Sequence, residues 1–154
     1  MRYRFLLLSL VFMELLSVSG RIFAQTRVPD SSNLGEAAML VAEDEAMKDA
    51  AMTRCGQIYP SRSNQFQSAY AIWRKNNAAA LEASSKEVAV LRHSPALANR
   101  ITLRLNDRRQ AISSGIEAKP EVCDGLANLL STGGERFDRL MPKAYAVLLA
   151  SISK

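Results

Sequence analysis

Few residues of this chain have the type and spacing to do chemistry. The clearest set is Arg100, Arg104 and Arg108, each four residues apart, with Arg109 adjoining. On a helix this spacing puts the three on one face. Guanidinium groups grip phosphate, sulfate or carboxylate bidentately, so the row could bind an anion, an acidic partner protein or an acidic polymer. A second set is the acids of the region 36–49: Glu36, Glu43, Asp44, Glu45 and Asp49. Glycan-cleaving enzymes use two acids that flank a cleft. Glu43, Asp44 and Glu45 are consecutive and must point in different directions, so we expect a solvated acidic face instead. For the arginines we expect structural pairing, with Asp107, Glu117 or the acidic first helix. The alternative is a free basic strip.

Other chemistries lack their residues. A zinc site needs three or four ligands. His93 is the one histidine, and the two cysteines, Cys55 and Cys123, suit each other better than a metal. Met39, Met47, Met52 and Met141 are irregularly spaced and read as core. His93 beside Ser94 is not a catalytic triad, and Gly133-Gly134 has no Lys-Ser/Thr after it in P-loop spacing. We therefore expect no catalytic set, no metal and no cofactor.

The N-terminus argues for export. Arg2 and Arg4 precede an apolar run from Phe5 to Val18. The run has the length of a signal-peptide core and is shorter than the roughly 20 residues that span a bilayer. We expect a signal peptide at 1–24, with cleavage after Ala24 or alternatively after Gly20, although Glu14 and Arg21 suit the pattern poorly. No later run is long and apolar enough to cross a membrane. Periplasmic or secreted placement follows. So does a disulfide between Cys55 and Cys123, since an exported protein with two cysteines usually joins them. Closing so long a loop stabilises by roughly 4 kcal/mol. Residues 1–24 carry Arg2, Arg4 and Arg21 against Glu14, so the remaining 130 residues hold +3 of the chain's +5. That charge is too small to suggest nucleic acid.

The elements that would position these residues are all helical. Gln25–Ser32 is polar and aperiodic and reads as a disordered leader. The rest, 33–154, reads as a single helical domain. Asn33 and Glu36 resemble a capping box for a first helix running to about Gln57. Pro60 breaks the chain, and a central helix follows to about Arg92. Phe66, Tyr70, Trp73, Asn77, Leu81, Ser84, Val88 and Leu91 lie on one face of it, with Trp73 mid-seam. We expect the other helices to pack around this one. Ser94-Pro95 opens a third helix ending near Gly115, and Lys119-Pro120-Glu121 a fourth, stopped by Gly133-Gly134. A fifth starts near Glu135, where Pro142 must kink it or begin its second part. Short links predict an antiparallel up-and-down bundle of four to five helices with one disulfide.

Such a scaffold points to a small exported, non-enzymatic protein that binds another macromolecule. An inhibitor, an immunity-type protein or an envelope accessory factor would fit. Tyr59, beside Pro60, and Tyr145 are the aromatics to watch for a partner-facing role. The alternatives are an envelope stress chaperone, which would expose apolar surface, and a glycan-acting enzyme, which would need two convergent acids in a deep cleft.

Overall fold

A computed structural model describes residues 29–153, so the expected signal peptide at 1–24 lies outside the described residues. The fold is an all-α bundle. Its helices are α1 (Leu34–Ile58), α2 (Ser63–Asn76), α3 (Ala78–Leu91), α4 (Pro95–Ala118), α5 (Val122–Ser131), α6 (Phe137–Leu140) and α7 (Pro142–Ile152). A 3-10 turn, Pro60–Arg62, joins α1 to α2. Four to five helices were expected, and seven α-helical segments are present among the described residues, because two of the expected rods are divided.

The first division is at Asn77. Its backbone leaves helical geometry, and its buried side chain takes up the groups nearby. Asn77 Nδ2 donates to the Trp73 carbonyl at 3.0 Å and to the Glu135 carbonyl at 3.1 Å, while Oδ1 accepts from Phe137 N at 2.9 Å. Buried polar groups require such partners. Asn77 therefore sets the bend between α2 and α3 and pins it to the start of α6. The second division is at Pro142, which opens α7 as its first residue. Its free N-terminus is capped from a distance: Asp30 accepts from Lys143 N at 3.2 Å and Ala144 N at 2.9 Å. An acid there satisfies orphan N–H groups and opposes the helix dipole. Asp30 falls within the leader expected at 25–32, of which residues 25–28 lie outside the described residues.

The hub of the bundle is α1, not the central helix expected between Pro60 and Arg92. Helix α1 packs against α2, α3, α4, α5 and α7. Ala37, Ala38, Val41, Ala46, Ala51 and Met52 are buried on several of its sides. A helix apolar nearly all round belongs inside, and small alanines let neighbours approach closely. Ser84 of α3 shows the approach, donating from Oγ to the Ala38 carbonyl at 2.7 Å. The start of α1 follows expectation in part. Asn33 Oδ1 accepts from Glu36 N at 3.0 Å, but the Glu36 carboxylate takes the Ser31 hydroxyl instead of closing the box.

Trp73 lies at the core, 1% exposed, with its ring edge-to-face on Phe137 at 5.6 Å and stacked on Tyr70 at 5.8 Å. Its indole N–H donates to the Glu135 carbonyl at 2.8 Å. Cys55 and Cys123 form the expected disulfide, tying the end of α1 to the start of α5 across 68 residues. Met39, Met52 and Met141 are buried core residues. Gly133, at φ 76°, ends α5 in the left-handed region that glycine adopts without strain.

Candidate functional site

The three consecutive acids of α1 do point three ways, but not into water. Glu43 is 3% exposed and faces α4, where its Oε2 accepts from Arg108 Nε at 3.0 Å and its Oε1 pairs with Arg104 Nε. Asp44 takes the ammonium of Lys48 at 2.6 Å on both oxygens. Lys48 is also buried; it reaches Glu135 at 3.2 Å and lies 5.1 Å from the Trp73 ring centroid. Glu45 pairs with Arg74 of α2 at 3.2 Å. One acidic triplet thus joins α1 to α4, to the link before α6, and to α2. Glu36 stays exposed, but the expected solvated acidic face is corrected for Glu43, Asp44 and Glu45: α1 is central, so these positions meet other helices. Burial pushes the carboxyls of Asp44 and Glu45 above their ordinary range, against the pull of Lys48 and Arg74 respectively.

The arginine row is divided between two duties. Arg104 and Arg108 clamp Glu43 through Nε, yet their side chains stay 53% and 52% exposed. Two guanidiniums meet one carboxylate, which leaves a surplus positive charge. Their terminal nitrogens have no partner among the described residues. Arg100 and Arg109 are exposed and join no ion pair among the described residues; Arg109 reaches only Asn106, at 3.5 Å. Arg104 and Arg108 therefore pair with the first helix, while Arg100 and Arg109 stay exposed.

Helix α4 packs on α1, as does α3, but α3 and α4 diverge from each other. Two separate hollows lie beside α4. The first encloses about 380 Å³ over Ala42 and Ala46, with Tyr70, Val88, Leu105 and Arg109 on its walls, and also holds Glu45, Asp49 and Arg74. The second encloses about 310 Å³ over Gly35 and Met39, with Leu91, Leu97, Arg100 and Arg104 around it. Arg100 and Arg109, nine residues apart, stand on opposite faces of α4. Burial, with Glu45 and Asp49 nearby, pushes the Tyr70 hydroxyl up to about 12. Glu45 and Asp49 sit one turn apart on a single helix, not on opposite walls where acids would flank a scissile bond.

Tyr59 and Tyr145 are half-buried, pack against the core and line neither hollow. Tyr59 instead carries the Arg62 guanidinium 5.8 Å from its centroid. His93 is exposed in the α3–α4 link. Of the first hollow's residues, the sequence reads Tyr70 as a seam residue and Asp49 as part of a solvated acidic face, while Arg74 is not singled out. The i,i+4 pairing of Tyr70 with Arg74 was the one available signal. Among the described residues no three His, Cys, Asp or Glu side chains gather as metal ligands, and no helix is long and apolar enough to cross a membrane. Compared with protein-family models, curated proteins and solved structures, the chain matches none.

Proposed function

We propose that this is a small exported, non-enzymatic protein that binds an acidic segment of another protein on the arginine-bearing surface of α4. The observation that supports it most is the double duty of the α4 arginines. Arg108 Nε donates to Glu43 and Arg104 pairs with the same carboxylate, which restrains both side chains while leaving them half-exposed, with Arg100 and Arg109 on the same helix. Pre-ordered donors lose less entropy on binding. The inhibitor and immunity-type roles are of this kind. Periplasmic or secreted placement rests on the N-terminal sequence, and a disulfide suits an oxidising compartment.

The test is fluorescence anisotropy with a labelled octapeptide of alternating Ser and Glu, on the full disulfide-bonded protein. Binding should weaken steeply with salt. It should fall about tenfold in the double variant Arg100→Gln, Arg109→Gln, whose melting temperature stays put because neither residue holds an internal ion pair. Absent binding, or binding indifferent to the double variant, would overturn the proposal.

A further inference from the structure

The two hollows beside α4 differ in chemistry. The one around Tyr70 is mixed in charge, with Glu45, Asp49, Arg74 and Arg109 on its lining. The one around Leu97 is apolar with a cationic lip. Met39, Leu91, Leu97 and Ile101 form the walls, and Arg100 and Arg104 stand at the edge. Glu36 also borders it, with its carboxylate accepting the Ser31 hydroxyl at 2.7 Å.

The floor of the hollow depends on one residue. Gly35 carries no side chain, and a Cβ there would already touch the Leu91 methyls and Asn33 Oδ1 at 3.7 Å. Anything longer would occupy the hollow. Leu97 is 38% exposed at the mouth, so apolar surface faces water there. An apolar hollow edged by guanidiniums is the complement of an aliphatic side chain next to a carboxylate. The aliphatic group would leave water, and the carboxylate would meet the Nη donors of Arg100 and Arg104.

Resting on the binding role above, we propose that this hollow is the anchor pocket for the partner's segment. It takes an aliphatic side chain adjacent to an acid in that segment.

The test compares two labelled octapeptides of equal charge, alternating Leu–Glu and alternating Ser–Glu, on the full disulfide-bonded protein. The Leu–Glu peptide should bind about tenfold more tightly, the gain expected for partly burying one aliphatic side chain. Gly35→Leu, which fills the hollow, should remove that gain while leaving Ser–Glu binding intact. Leu97→Ser does the same from an exposed position where folding is not at stake. Alternating Leu–Lys should not bind. Equal affinity for the two acidic peptides overturns the anchor pocket and leaves the binding role standing. A preference that survives both variants overturns the location. Binding of Leu–Lys overturns the role of the carboxylate. If neither acidic peptide binds, the binding role itself falls, and the anchor pocket with it.

Discussion

The two flanks of α1 meet one electrostatic problem with opposite signs. Toward α4 the buried member is an anion: Glu43, 3% exposed, held by two guanidiniums half in water. Toward the link before α6 the buried member is a cation: Lys48, 7% exposed, held by Asp44 and Glu135 above the Trp73 ring. Taking a charge out of water costs several kcal/mol, recovered only where partners are well placed. The difference shows what each flank is free to do. On the Lys48 flank the acids are themselves partly buried, and the network is closed. On the Glu43 flank the cations keep exposed donors, so one set of side chains holds the fold and still presents charge outward.

The most severe break in this comparison should come from the closed flank. Trp73→Ala removes a fully buried ring and its hydrogen bond to Glu135, and should cost about 3–5 kcal/mol in urea unfolding. An unchanged midpoint would mean that the ring is not the floor of the lysine site. Lys48→Met strands Asp44 and Glu135 without their cation and should cost about 3 kcal/mol. The open flank should respond unequally to its two halves. Arg104→Gln with Arg108→Gln leaves Glu43 buried and unpaired, at about 2 kcal/mol. Glu43→Gln leaves two guanidiniums that are already half solvated, at about 1 kcal/mol. If the Glu43 variant proves the more damaging, the assignment of which member is buried fails.

The smallest effect is one of slope. Burial first, then Glu45 and Asp49, raise the Tyr70 hydroxyl from its ordinary 10.0 to about 12 in the folded chain. The unfolded chain therefore releases that proton first as pH rises. Stability from this group is fully present below pH 10 and is lost as pH climbs toward 12. Tyr70→Phe should flatten the alkaline limb of a stability-against-pH curve without moving the neutral plateau much. An unaltered alkaline limb would show the hydroxyl to be ordinary.

Much of the scaffold was legible in the chain alone. Pro60, Pro95 and Pro142 mark real starts, because a missing N–H is tolerated only in a first turn. Cys55 and Cys123 had one intramolecular pairing available, and Trp73 stood mid-seam on a helical period. These features depend on local backbone chemistry or on counting, and sequence carries both. What tertiary structure decided was whatever needs a partner from far along the chain. Asn77 lies on the apolar period and reads as one more seam residue, but Phe137 and Glu135 turn it into a bend. Glu43, Asp44 and Glu45 read as solvent-facing because a carboxylate that is paired looks the same in sequence as one that is hydrated. Arg104 and Arg108, the Lys48 ammonium and Arg74 decide otherwise. The hub passed to α1 for the same reason: periodicity reports one buried face, while only packing shows a helix enclosed on several. The two hollows beside α4 belong wholly to packing, since the lining of each draws residues from α1, α3 and α4 together.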